Sequence, residues 1–216
     1  MRVLLVAKAP VAGRVKTRLG ALVGDERAAD LAAAALLDTL DACRATGAAG
    51  HLSLSGDLAD AVRGAELVVA VDGWTISPQR GDTFADRLVN AHLDDGPGVV
   101  VQIGMDTPQL TADALHETAA AMAGHDAVLA PATDGGWWAL ARRDPGVVRH
   151  LAQVPMSRDT TFAETQGALE RAGARVAHAA SMTDVDEVGD ADLVAGLAPG
   201  TRFAEAWRAV RAGVDA

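Results

Sequence analysis

The sequence predicts one α/β domain built on a mixed, mostly parallel sheet with helices on both faces. Three observations predict it. Short apolar, β-rich runs alternate with longer helical patterns, as in a parallel sheet whose strands are joined by crossing helices. The runs at 3–7 and 98–103 are nearly continuous in apolar residues, as strands buried on both faces require. Only near Asp134 do two strand signals follow one another across a bare turn, which inserts one antiparallel strand.

The elements follow in order. Residues 3–7 form the first strand, and a loop carrying Pro10 and Gly13 leaves it. Ala29, Ala33, Leu36, Leu40 and Cys43 then recur at steps of four and three, one face of a helix. Asp25, after Gly24, is its expected N-cap. Residues 51–55 read as a strand, followed by a short helix and a further strand-like run at 66–71. The segment 82–93 is helical, 98–103 a buried strand, and 111–123 a helix capped by Thr111. Strands at 127–130 and 137–141 flank the Asp134-Gly135-Gly136 turn. Residues 157–171 are helical, 175–178 a short strand, and the remainder mostly helical. No repeat or linker divides residues 1–216, so a single domain is expected.

Composition narrows the function. Half of the 216 residues are apolar and only 3% aromatic, which suits closely packed helices on a sheet. The single cysteine, Cys43, has no partner for an internal disulfide and reads as core packing. The opening MRVLLVAKAP lacks the long apolar segment and cleavage site of a signal peptide, and no run approaches a membrane span. A cytoplasmic protein with no membrane partner is expected. A formal charge of −10 argues against a nucleic-acid partner. Against that acidic background, Lys8, Arg14, Lys16 and Arg18 cluster directly after the first strand. This cluster suits either a small anion such as a phosphate or an ordinary solvated loop.

Five segments carry the candidate chemistry. In KAPVAGRVKTRL (8–19), Gly13 allows close backbone approach, and Lys16 and Arg18 offer charge-assisted bonds to phosphate oxygens. The loop has neither P-loop nor dinucleotide-fingerprint spacing. In GMDTPQL (104–110), Asp106 lies just past a strand end. A carboxylate facing phosphates needs an intervening cation, so it reads as a Mg²⁺ or Mn²⁺ ligand, with helix capping or a turn before Pro108 as the alternative. In TDVDEVGDADL (183–193), Asp184 and Asp186 share one face of an extended segment. They could complete that metal site, or Asp186 could cap the following helix. In TDGGWWAL (133–140), Gly135 and Gly136 permit close approach, and alternation sends Trp137 and Trp138 to opposite faces, so one could line a pocket. In QRGDTFADRL (79–88), Gln79 and Gly81 could contact a nucleobase, with Arg87 beside them or paired to Asp82 or Asp86. Scattered histidines and the lack of CxxC, HExxH and GxSxG argue against zinc and hydrolase sites.

In this order, the five segments resemble the DUF2064 family of GT-A-like nucleotide-diphospho-sugar transferases, along residues 1–197. A more distant likeness is to phospholactate guanylyltransferases and molybdenum-cofactor nucleotidyltransferases. The resemblance implies a Rossmann-like GT-A fold with a nucleotide across its N-terminal half. It implies phosphates near Lys8, Pro10, Gly13, Lys16 and Arg18, with Gln79, Gly81 and Arg87 beside the nucleotide. It also implies a metal on Asp106 with Asp184 or Asp186, and an acceptor near Asp134, Gly135, Gly136 and Trp137. The expected activity is glycosyl transfer from a nucleotide sugar to a small-molecule acceptor. In it Lys16, Arg18 and Asp106 would act on the diphosphate, and Asp134 would deprotonate the acceptor. Nucleotidylyl transfer from an NTP with release of pyrophosphate, and a non-catalytic nucleotide-binding module, are the competing expectations. A homodimer is the expected assembly.

Overall fold

The computed structural model describes residues 1–214. Seven strands form one sheet: β1 (Arg2–Lys8), β2 (Ala49–Ser55), β3 (Thr75–Pro78), β4 (Val100–Ile103), β5 (Ala127–Pro131), β6 (Trp137–Arg142) and β7 (Val176–His178). Their spatial order is β3-β2-β1-β4-β6-β5-β7. All pairs are parallel except those made by β6, which runs antiparallel to both β4 and β5. The antiparallel strand thus falls where the Asp134 turn predicted it. The chain leaves β1 toward β2 on one side and returns through β4 on the other. The carboxyl ends of β1 and β4 therefore flank a topological switch point, where such sheets open a crevice.

The helices are α1 (Thr17–Val23), α2 (Asp25–Ala45), α3 (Gly64–Ala70), α4 (Phe84–Asp95), α5 (Ala112–Ala120), α6 (Thr161–Arg171), α7 (Val188–Leu197) and α8 (Arg202–Val214), with 3-10 turns at Leu58–Asp60 and Pro145–Gln153. The predicted stripe of α2 (Ala29, Ala33, Leu36, Leu40 and Cys43) packs on the sheet with Val3, Leu5 and Leu52. A second stripe, Ala28, Leu31 and Ala35, packs against Phe203 and Trp207 of α8. Burial on two sides explains why this helix is alanine-rich nearly all round. The opposite sheet face is covered by α4, the 145–153 turn and α6, around Leu129, Leu140, Val148, Leu151 and Leu169. No helix of the described residues is long and apolar enough to cross a membrane.

Three local expectations are corrected. The run 66–71 belongs mostly to helix α3: Leu67 and Ala70 are buried while Val68 and Val69 face solvent, a helical rather than alternating pattern. The strand lies just beyond, at β3, an edge strand whose exposed residues carry little apolar signal. Gly24, not Asp25, is the N-cap of α2, and Asp25 opens its first turn. The helix expected from 157 begins only at Thr161, because Ser157 adopts φ 61° and the chain turns there.

Candidate active site

Two loops leave the switch point side by side. The first, after β1, ends at Lys16, the N-cap of α1, whose backbone is left-handed (φ 46°, ψ 43°) and whose side chain makes no capping bond. A non-glycine residue held there is strained, and such strain concentrates at functional sites. The conformation turns the side chain inward. Its ammonium group lies 2.7 Å from Oδ1 of Asp106 and 2.9 Å from Oδ1 of Asp186. The Lys16 side chain is only 8% exposed, whereas those of Asp106 and Asp186 are 38% and 46% exposed. Burial works to lower the lysine pKa, but the two carboxylates outweigh it and hold it above its usual value.

The third strand of chemistry arrives from the C-terminal segment. Met182 pairs with Ala132 as an extension of the sheet beyond β5, and its N–H donates to the Pro131 carbonyl at 3.1 Å. The Val185 N–H then donates to the Asp106 carbonyl at 2.9 Å, and Gln109 Nε2 donates to the Thr183 carbonyl at 2.6 Å. These bonds lash the 104–110 and 183–193 segments together. Val185 points into the core, leaving Asp184 and Asp186 on the other face of this extended segment, as the spacing predicted. Asp186 caps no helix. Glu187 is the N-cap of α7, and Asp190 accepts from the Asp186 and Glu187 N–H groups, fixing the backbone that presents Asp186. Asp106 does not cap α5 either, since Thr111 does that through the Ala114 N–H.

Charge divides the crevice. One cleft, about 300 Å³, is lined by Lys8, Arg14, Lys16 and Arg18 with Met105 and the two aspartates 106 and 186. A second, about 200 Å³, shares Asp106 and Asp186 and adds Asp134, Asp184, Gly136 and Trp137. The two clefts therefore meet at Asp106 and Asp186. Burial pushes the Asp184 carboxyl up to about 7, and the charges of Asp106 and Asp134 push the same way. Burial also raises Asp186, but Lys16 and Arg18 outweigh it and hold that carboxyl below its usual range.

Other expected site residues are placed differently. Trp137 lines the second cleft with its indole N–H bound to Thr165 Oγ1 at 3.1 Å, whereas Trp138 is core, bonded to the Ala180 carbonyl. Gly135 (φ 88°) is required by the chain itself, since a Cβ there would lie 2.3 Å from the Asp159 carbonyl oxygen. The Asp134 carboxylate accepts from the Gly136 N–H at 2.8 Å. Gln79 donates to the carbonyls of Ala7 and Ser53, closing the ends of β1 and β2. Arg87 bonds the Gly81 carbonyl, not Asp82 or Asp86. Gln79, Gly81 and Arg87 line neither cleft. Lys8 donates to the Arg14 carbonyl and so shapes its own loop, while Pro10 accepts from Val62 and Gly13 turns at φ 72°. Sequence reasoning missed Gln102, Phe84, Met156 and Arg158, which also line the second cleft. The one legible signal among them was Gln102, a polar residue inside the apolar run VVQI.

As for metal, no group of three or more acidic, histidine or cysteine side chains among the described residues is gathered in coordinating geometry. The ammonium of Lys16 stands as a cation between two hard carboxylate oxygens, and that donor chemistry fits Mg²⁺ or Mn²⁺.

No curated protein matches the sequence. Among solved structures, a candidate nucleotide-diphospho-sugar transferase of Desulfovibrio desulfuricans G20 superposes with a TM-score of 0.80 at 24% identity, over 99% of this chain and 95% of that one. Rv0371c of Mycobacterium tuberculosis H37Rv, in complex with manganese, gives 0.54 at 19% identity over 89% and 97%. The CMP:2-keto-3-deoxy-manno-octonic acid synthetase bound to CTP gives 0.53 at 14% identity over 92% and 99%. At these identities the likeness establishes the shared Rossmann-like fold. The model of the family described as "Uncharacterized protein conserved in bacteria (DUF2064)" matches residues 39–158, more than half of the chain, and the protein belongs to that family.

Proposed function

We propose that the protein is a transferase acting on a nucleotide-linked donor, and specifically a metal-dependent glycosyltransferase that passes a sugar to a small-molecule acceptor. The observation that carries this reading is the meeting of a cationic cleft and a carboxylate-lined cleft at Asp106 and Asp186. The first suits phosphates and the second suits a hydroxyl-bearing partner. Relatives of the same fold bind CTP in one case and manganese in another, which supports the same division of labour.

In this reading Arg14, Arg18 and Lys8 bind the diphosphate. Asp106 and Asp186, with Asp184 beside them, would hold Mg²⁺ or Mn²⁺, which when bound neutralises the departing diphosphate. Lys16 then exchanges its carboxylate partners for phosphate oxygens and stabilises the charge that gathers there. Asp134, whose carboxylate accepts from the Gly136 N–H, accepts the acceptor's proton. Nucleotidylyl transfer is a second reading, favoured by the four cations of the first cleft, enough for a triphosphate. A thermal-shift panel of nucleoside triphosphates, diphosphates and nucleotide sugars, with and without Mn²⁺, tests the ligand class. Product analysis then separates the two chemistries, since glycosyl transfer releases a nucleoside phosphate and nucleotidylyl transfer releases pyrophosphate. Stabilisation by no nucleotide in the panel would sink both.

A further inference from the structure

The inner end of the carboxylate-lined cleft is closed by the sheet, and there Gln102 stands out. It lies on β4 between Leu4 of β1 and Leu140 of β6, in a row where an aliphatic residue would pack without penalty. It is 2% exposed and lines the cleft together with Gly104 and Asp106. Behind it is His92 of α4, fully buried. Nδ1 of His92 accepts from Arg142 Nε at 3.2 Å, so the imidazole proton sits on Nε2, the atom available to the Gln102 amide. Neither Nε2 of His92 nor Oε1 of Gln102 completes a hydrogen bond, although the two groups face each other closely enough for Gln102 to favour the charged imidazole. Even if these two close on each other, the other end of the amide is left for whatever fills the cleft. A buried amide short of partners is costly unless a ligand completes it.

The remaining lining defines that ligand. Val6, Leu88, Trp137 and Met156 make an apolar wall, and the Trp137 indole is locked by Thr165. Against them stand the carboxylates of Asp106, Asp134, Asp184 and Asp186, with Arg158 the one cation among the lining residues. Such a surplus of acceptors repels a phosphate and favours groups that donate hydrogen bonds. We infer that Gln102 is a specificity-determining residue that reads a hydroxyl at the closed end of this cleft, and that the ligand held there is an uncharged, polyhydroxylated ring. The inference rests on the transferase reading and sharpens it. The ring is a sugar, either the donor's own or the acceptor's, and it carries no phosphate inside the cleft.

The test uses the full chain with Mn²⁺ and follows tryptophan fluorescence during titration, with Trp137→Phe as the control for signal from the cleft. Ligands are UDP and GDP, each free and linked to glucose or mannose, the methyl glycosides of both sugars, and the corresponding sugar 6-phosphates. If the ring is the donor's, the sugar-linked diphosphates bind more tightly than the free ones, and Gln102→Met erases that advantage, a loss of about tenfold or more, while leaving UDP or GDP binding unchanged. If it is the acceptor's, a methyl glycoside binds the diphosphate-loaded protein and Gln102→Met weakens it by a similar factor. Should Gln102→Met fail to fold, monodeoxy glycosides report on the natural protein: loss of one particular hydroxyl carries the whole penalty. Sugar binding that ignores both Gln102 and every hydroxyl, or a sugar phosphate that binds better than its neutral parent, overturns the inference. Nucleotide binding without any sugar binding overturns it while sparing the transferase reading. Gln102-dependent sugar binding without any nucleotide binding does the reverse.

Discussion

Asp184 makes the sharpest claim on experiment, because its placement costs the folded protein stability. In the unfolded chain its carboxyl titrates near 3.8, and in the fold burial first, then Asp106 and Asp134, push it to about 7. Between those values the folded protein keeps a proton that the unfolded chain has released. Stability is therefore lost as pH rises through this window, and the loss is complete above the folded value. A shift of roughly three units at about 1.4 kcal/mol each gives about 4 kcal/mol in full. Solvent reaches part of the side chain, which trims the change expected between about pH 5 and about pH 8 to about 2 kcal/mol. Asp184→Asn removes the titration, so relative to the natural protein it gains about 2 kcal/mol on going from the acidic to the alkaline condition. Urea unfolding of both proteins at the two pH values, without divalent ions, measures this. On the proposed reading, saturating Mg²⁺ would supply the missing counter-charge and stabilise the natural protein more at the alkaline pH than at the acidic one. Stability profiles that run parallel across this range would refute the reasoning, whatever the absolute stabilities.

Three further outcomes follow from the same structure. Lys16→Met removes the cation between Asp106 and Asp186; Mn²⁺ alone, followed by electron paramagnetic resonance, should bind more tightly, while nucleoside diphosphate affinity falls about tenfold or more. Burial and the neighbouring Arg142 hold His92 down to about 3, so its contribution is intact above 6.5 and is lost as pH falls, by roughly 1.4 kcal/mol per unit. His92→Asn should flatten that acid limb in urea titrations. Gly135→Ala forces a Cβ to within 2.3 Å of the Asp159 carbonyl at φ 88°, and should cost about 2 kcal/mol or more in thermal unfolding, whereas alanine at Gly124, which has open space, costs less.

Much of the candidate site's geometry was legible because strand ends and chemistry-bearing residues coincide in the chain. The continuous apolar runs at β1 and β4 announced buried parallel strands, and the residues just past them, 8–19 and 104–110, had to emerge at one edge. Alternation placed Asp184 and Asp186 on one side of an extended segment and split Trp137 from Trp138. Local pattern failed where the cue was weak or the partner distant. The 66–71 run looked strand-like because its β-branched residues are adjacent, and only the burial of Leu67 and Ala70 shows the helical period. The glycines of the 133–140 turn looked like room for a ligand, yet Gly135 accommodates Asp159 of the same chain.

The sequence by itself determined the alternating architecture, the edge at which the crevice opens, and the charge of the loops that reach it. All three depend on hydrophobic period and on neighbours within one element, which a chain carries locally. Only the tertiary structure decided that Lys16 sits between Asp106 and Asp186, that Gln79 is committed to backbone carbonyls, and that Gln102 lies at the floor of the second cleft. Lys16 and Asp186 are 170 residues apart. Contacts over such separations are set by how the strands order and pack, and side-chain electrostatics follow from that packing rather than from the local pattern.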